Sequence, residues 1–114
     1  MRVLLLFDVP TASKEERRLA AKFRKELIKQ GFIMLQFSVY FRVCRGLSAA
    51  ENIINNIESI LPPRGNVRAM SITEKQFDKM RLLLGNVSAD EKLSDTEEIT
   101  VFNYREKITD DYYG

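Results

Sequence analysis

The spacing of the apolar residues changes at Gly31, and this change restricts the folds open to the chain. Before Gly31, apolar residues recur three and four positions apart, which predicts an amphipathic helix over residues 14–30. After it, apolar and more polar residues alternate through residues 32–44, which is typical of a strand with one buried face. A helix followed at once by such a strand predicts helices packed on a sheet.

The alternating run spans thirteen residues, which is long for one strand. Either it forms a single strand, or a tight turn near Phe37 and Ser38 divides it into a hairpin. Turn-forming residues are sparse there, so the pattern leaves both possibilities open. Phe37, Tyr40 and Phe41 are predicted to pack in the core rather than to stack on nucleobases.

Comparable patterns predict the other elements. Strands are expected at residues 3–7, 66–72 and 98–102. Capping boxes, in which a hydroxyl and a Glu or Gln side chain bond the first turn, predict helix starts at residues 13–16, 48–51 and 73–76. The second helix should end at Pro62. The third should carry Phe77, Met80, Leu83 and Leu84 and end at Gly85.

This order of elements predicts an α+β fold, the ferredoxin-like βαββαβ sandwich, with a short extra helix and a C-terminal strand. Both main helices should cover one face of the sheet. Leu4 and Leu6 place apolar groups on the other face, so we expect a homodimer through that open face or through pairing of the last strand. A monomer whose tail folds over its own sheet is the alternative.

Charge is unevenly distributed, although the total is only +2. Residues 1–85, the predicted core domain, carry a net +7, and residues 86–114, a predicted acidic loop, strand and tail, carry −5. A basic body favours a polyanionic partner such as nucleic acid, and the acidic tail favours dimer or partner contacts. An ordinary mixed-charge surface is the alternative.

Missing residue types exclude several chemistries. With 0 His and 1 Cys, the chain cannot build a Ser-His-Asp or Cys-His arrangement, a Cys/His zinc site or an intrachain disulfide. Its apolar runs are too short for a signal peptide or a membrane span, so we expect a soluble cytoplasmic protein without a membrane partner.

Asp8 follows the first predicted strand and precedes a basic helix. A carboxylate at such a strand end suits Mg²⁺ coordination. The alternative is a turn residue that accepts hydrogen bonds from nearby backbone amides. Because one carboxylate holds a metal poorly, a metal site would need two copies of Asp8 from a symmetric dimer.

Basic residues gather where the first helix begins: Lys14, Arg17, Arg18 and Lys22. A helix N-terminus adds unpaired amides, so a phosphate could dock there. Arg42 and Arg45 flank the far end of the alternating run, and either extend this basic surface or lie along its rim. A solvated helix face is the alternative for the whole group.

Four segments carry a resemblance to a known family: LLFDVPT at residues 5–11, GFIMLQFSVY at 31–40, LPPRGNVR at 61–68 and ITEKQ at 72–76. With these segments the chain resembles the small CRISPR-associated protein family of the spacer-acquisition machinery, with the character of type II systems. The resemblance covers most of residues 2–85. It implies a ferredoxin-like protomer, a homodimer stacked through its sheets and a hairpin within residues 32–44.

The resemblance also implies a site and partners. Asp8 corresponds to a Mg²⁺ ligand near the two-fold axis of a metal-dependent endonuclease acting on RNA or DNA. In the acquisition complex, such a dimer bridges two integrase dimers and supports duplex DNA, both prespacer and repeat. Lys14, Arg17 and Arg18 are then the expected duplex contacts. A tail strand at about residues 98–103 would pair across the dimer or engage the integrase.

Two functions therefore compete. The first is a structural adaptor in spacer integration, which the charge distribution and the scarcity of catalytic groups favour. The second is a Mg²⁺-dependent nuclease that uses Asp8. A toxin-like RNA interferase of the same fold is a third possibility.

Overall fold

The computed structural model describes residues 1–86. Its strands are β1 (Arg2–Asp8), β2 (Ile33–Gln36), β3 (Val39–Val43) and β4 (Asn66–Ile72). Its helices are α1 (Lys14–Lys29), α2 (Leu47–Ile57) and α3 (Glu74–Asp78), and a 3₁₀ turn, Glu58–Ile60, follows α2. The predicted strand at 98–102 and the acidic tail lie outside the described residues.

The four strands form one antiparallel sheet in the order β2-β3-β1-β4. This is the split βαβ arrangement of the ferredoxin-like sandwich, so the predicted fold class is confirmed. The alternating run of residues 32–44 forms a hairpin whose turn lies at Phe37 and Ser38. Of the two possibilities that the sequence left open, the divided strand is therefore the one observed. The Phe7 backbone N–H donates to the Ser38 carbonyl oxygen at 3.0 Å, which joins this turn to β1.

One face of the sheet packs against α1 and α2. Val3, Leu5 and Phe7 of β1 are buried there with Phe23 and Leu27 of α1. Tyr40 stacks on Phe7 with ring centroids 5.6 Å apart, and burial raises the pKa of its hydroxyl. The predicted burial of Tyr40 and Phe41 is confirmed. The predicted burial of Phe37 was wrong, because Phe37 lies in the hairpin turn and is 56% exposed.

The other face, which we call the open face, is covered only in part among the described residues. α3 packs there through Phe77, which contacts Phe41 and Ile72. Cross-strand register places Leu4, Leu6 and Asp8 on the same face. Leu6 remains 38% exposed and Met70 51% exposed, so much of this apolar surface has no cover within residues 1–86.

Two helix predictions were wrong in detail. α2 begins at Leu47 with Gly46 as an extended N-cap that makes no side-chain hydrogen bond, so Ser48 lies within the first turn and its capping box does not form. α3 ends at Asp78 rather than continuing to Gly85. Its predicted apolar residues beyond that point are exposed, Met80 to 48%, Leu83 to 83% and Leu84 to 92%, because only Phe77 contacts the sheet.

Candidate nucleic-acid interface and carboxylate site

Asp8 ends β1 and is exposed on the open face. It lies opposite Asn66 in the register with β4. Among residues 1–86, no hydrogen bond or ion pair engages its side chain, so the alternative of a hydrogen-bonded turn residue is not what the structure shows. The described part of the chain contains no group of three or more Cys, Asp or Glu side chains able to hold a metal ion. Asp8 is therefore an available but single carboxylate.

Gly65 fixes the backbone beside Asp8. Its φ is +110°, a value that side-chain-bearing residues rarely adopt. A Cβ at this position would lie 2.5 Å from the Asp8 carbonyl oxygen and 2.9 Å from the Val9 Cα. The turn before β4 can therefore approach the end of β1 only because residue 65 has no side chain.

The solvent-facing side of α1 carries five exposed cations, which we call the cationic row: Lys14, Arg18, Lys22, Lys25 and Lys29. At 100° per residue, their positions fall within about 80° around the helix axis. The row runs for about 22 Å along the helix. It lies opposite Ala20, Phe23 and Leu27, which are buried against the sheet.

Neighbouring carboxylates neutralise part of this row. Arg18 donates to both Glu15 oxygens at 3.0 and 2.6 Å, and this hydrogen bonding lowers the pKa of Glu15. Lys29 Nζ lies 3.5 Å from Glu26 Oε2. Lys14, Lys22 and Lys25 have no such partner among the described residues, so they carry the uncompensated charge of the row.

Arg17 has a different environment from Arg18. Its guanidinium donates to the carbonyl oxygens of Thr11 and Ala12 at 3.2 and 3.1 Å, which holds the β1–α1 loop against the helix. The capping box predicted there is present. Ser13 accepts from the Glu16 amide, and Glu16 accepts from the Ser13 amide. These backbone bonds lower the pKa of Glu16, which also pairs with Arg64 at 2.6 Å.

Arg42 and Arg45 lie at the opposite end of the sheet from Asp8 and the start of α1. Arg42 is opposite Val3 in the register, and its guanidinium lies beside Gly31, just after α1. Arg45 is exposed before α2. The structure therefore groups Lys14, Arg17, Arg18 and Lys22, and places Arg42 and Arg45 beyond the far end of the cationic row.

The sequence pattern of the family described as CRISPR associated protein Cas2 matches residues 1–80. The chain belongs to the Cas2 family. It is 61% identical over 103 residues to a Campylobacter jejuni protein named CRISPR-associated endoribonuclease Cas2, covering 90% of this chain and 72% of that relative.

Further Cas2 proteins of the same name are also similar. The Ligilactobacillus salivarius protein is 49% identical over 85 residues, covering 75% of this chain and 84% of the relative. The Acidovorax ebreus protein is 41% identical over 102 residues, covering 90% and 100%. The expected family is confirmed, and the chain is a CRISPR adaptation protein of the Cas2 type.

Three basic residues of the described surface are absent from the candidate site that the sequence predicts. Lys25 and Lys29 continue the cationic row, and the spacing of four, four, three and four from Lys14 onwards is the signal that could have identified them. Arg68, exposed on β4, lies on the same face as Asp8, but only the strand register reveals this. Among residues 1–86, no helix is long and apolar enough to cross a membrane.

Proposed function

We propose that two copies of this Cas2-family chain associate through their open faces and hold duplex DNA on the cationic rows of α1. In this role the dimer is an adaptor in spacer acquisition. It supports prespacer and repeat DNA while it contacts two integrase dimers. The homodimer, the DNA contact and the integrase contact are all parts of this proposal.

The observation that carries the proposal is the cationic row. Duplex DNA presents one negative charge per about 1.7 Å of its axis, and lysine and arginine contacts to phosphates provide sequence-independent affinity. A row about 22 Å long with three uncompensated lysines matches such a line of charge. The apolar open face supports the dimer, because exposed apolar surface of this kind marks an interaction site.

The first experiment tests the DNA contact. Lys22 and Lys25 are replaced together by Gln, and the dissociation constant for duplex DNA is measured between about 50 and 200 mM salt. If both lysines contact phosphates, the slope of log affinity against log salt should fall by about 2, equally for unrelated duplex sequences. The matched control replaces Lys75 and Lys79, which are exposed cations in and just after α3.

The control carries the same change in net charge, so the comparison separates contact from overall attraction. We expect the control slope to stay close to that of the unmodified chain. Equal losses of slope in both variants would show that only total charge matters and would refute the assignment to α1.

Asp8 supports a second candidate function, a Mg²⁺-dependent nuclease acting on single-stranded RNA or duplex DNA. Its exposed and unpartnered carboxylate is the observation that favours it, and the relatives are named endoribonucleases. One carboxylate is a poor fit to a metal that takes several oxygen ligands, so Asp8 from each of two copies would have to hold the ion together. When bound, the ion would supply an activated water for phosphodiester hydrolysis.

Asp8→Asn separates the two functions. Cleavage of RNA and duplex DNA in Mg²⁺ is assayed beside integration of a prespacer by the complex with the integrase. We expect integration to persist in the variant at chain concentrations that keep it dimeric, because the adaptor role needs no metal-bound carboxylate. Asp78→Asn, at an exposed position in α3, is the control. Loss of integration by an Asp8→Asn chain that is still dimeric, with Asp78→Asn unaffected, would contradict a purely structural role.

A further inference from the structure

Arg68 lies beside Asp8 on the open face. It is opposite Leu6, and Asp8 is opposite Asn66, so Arg68 and Asp8 are diagonal neighbours whose side chains share a face. Arg68 is exposed, and no ion pair or hydrogen bond engages its guanidinium within residues 1–86. The face thus presents one free carboxylate and one free guanidinium.

Apolar side chains adjoin both charges on this face, and Asn66 lies opposite Asp8. Leu6 precedes Asp8 on this face of β1 and lies opposite Arg68, and Met70 follows Arg68 on the same face of β4. A second copy that covers Leu6 and Met70 would also remove Asp8 and Arg68 from water. A carboxylate that loses its water without a counter-charge is strongly disfavoured, so burial of this face requires a cation close to Asp8.

Two sources of that cation can be compared. The residues described for one chain provide no three-ligand metal cluster. On the same face, the four strands place two cationic side chains, Arg2 and Arg68. Arg2 is 2% exposed and already bonded to Glu74, so it is committed to α3. Arg68 remains free.

Two-fold symmetry makes this charge pair self-complementary. In a closed dimer, if a residue i of one copy contacts residue j of the other, then j of the first contacts i of the second. From this geometry we infer that Asp8 of each copy pairs with Arg68 of the second copy across the open faces. The two ion pairs set the register of the dimer, and Asp8 is a positioning residue of the interface.

This inference rests on the homodimer of the proposed function and adds a specific contact to it. It also bears on the nuclease alternative. A guanidinium paired with Asp8 occupies the carboxylate that a shared metal ion would need. The dimer should therefore assemble in EDTA as well as in Mg²⁺.

Charge reversal tests the pairing between copies. Asp8→Arg and Arg68→Asp are purified separately, and each homodimer places like charges opposite one another. We expect the dissociation constant of each homodimer to rise by at least about tenfold. When the two variants are mixed, both contacts become complementary, and the heterodimer should far exceed the statistical half of all dimers. Native mass spectrometry resolves the three species, because the variants differ in mass.

The control pair is Glu51→Arg and Lys25→Glu, which make equal changes of charge on exposed positions of α2 and α1. This mixture should remain close to statistical. A statistical mixture of the Asp8 and Arg68 variants, or a wild-type dimer that dissociates in EDTA, overturns the pairing. A wild-type chain that is monomeric overturns the proposed homodimer as well, so the two failures are distinguishable.

If a reversal variant fails to fold, Asp8→Asn and Arg68→Gln replace it in a double-mutant cycle. Both single changes should weaken the dimer, and the double change should be no weaker than either, because each removes the same pair. If the double variant instead lost as much dimer affinity as the two single variants together, that result would contradict the contact.

Discussion

At the scale of single residues, Gly65 provides the sharpest test of how the end of β1 is built. Gly65→Ala forces a Cβ against the Asp8 carbonyl oxygen at a positive φ. We expect the free energy of unfolding to fall by about 1–3 kcal/mol, measured by urea denaturation followed by circular dichroism. Gly46→Ala is the control, since its φ is −176° and a Cβ there meets no atom within 4 Å. Its cost should stay below about 1 kcal/mol. Equal costs at the two glycines would mean that the close approach to Asp8 contributes nothing.

Asp8 and Arg2 differ in how far their positions could be predicted from the sequence. Asp8 could be placed at an exposed strand end, because a charged residue directly after an apolar run must leave the core. Arg2 could not be placed, because its burial depends on a partner 72 positions away. Its guanidinium lies 3.8 Å from the Phe77 ring centroid and 5.0 Å from that of Phe41. No local pattern encodes such a contact.

At the scale of elements, α3 is held on the open face by Glu74. The Arg2 guanidinium donates to the Glu74 carboxylate at 2.9 to 3.1 Å, and the Met1 ammonium lies 3.2 Å from Glu74 Oε2. The hydrogen bonds from Arg2 lower the pKa of Glu74. Because the folded-state pKa is below the unfolded one, this contribution to stability is complete above about pH 5 and is lost as the pH falls further.

Glu74→Gln tests this contact. We expect the free energy of unfolding at pH 7 to fall by only about 1 kcal/mol, because Glu74 is 47% exposed and water screens the pair. Acidification should cost the wild type about 1 kcal/mol more than the variant, so the two free energies of unfolding converge as the pH falls through the lowered pKa of Glu74. As a control, Asp78→Asn in the same helix should lose as much free energy of unfolding between pH 7 and pH 4 as the wild type does. If the free energies of unfolding of the wild type and Glu74→Gln differed by the same amount at every pH, that result would contradict the ion-pair explanation.

The elements that the sequence left open or misplaced share a physical cause. Ser38 in the hairpin turn has a φ of 64°, a conformation that few non-glycine residues adopt. The turn therefore lacks the residues from which a sequence-based prediction recognises a hairpin. It forms because the Ser38 carbonyl bonds β1 and because β3 pairs with β1 along five residue pairs. α2 begins before its apparent capping box for a similar reason, since packing of Ala50, Ile53 and Ile57 decides the helix start. In both places tertiary contacts outweigh local propensity.

At the scale of the whole molecule, the sheet separates two surfaces of different character. α1 and its cationic row cover one side, and the apolar open face with Asp8 and Arg68 forms the other. A dimer closed through the open faces would therefore carry one cationic row on each outer surface. This arrangement leaves both rows accessible to DNA and explains how one small fold could serve self-association and polyanion binding without competition between them.

The acidic residues of the tail lead to the last prediction. Replacing the eight Asp and Glu of residues 87–114 by Asn and Gln changes the net charge of the full chain from +2 to +10. Affinity for duplex DNA should rise at about 50 mM salt and the gain should shrink at higher salt, because long-range attraction is screened over about 10 Å at 0.1 M. Retention of the integrase in co-purification should fall if the acidic tail makes the protein contacts that its charge favours. A variant that binds DNA more tightly and still retains the integrase would show that these acids only limit the attraction of the body for DNA. Unchanged DNA affinity at low salt would instead show that residues 1–86 alone determine it.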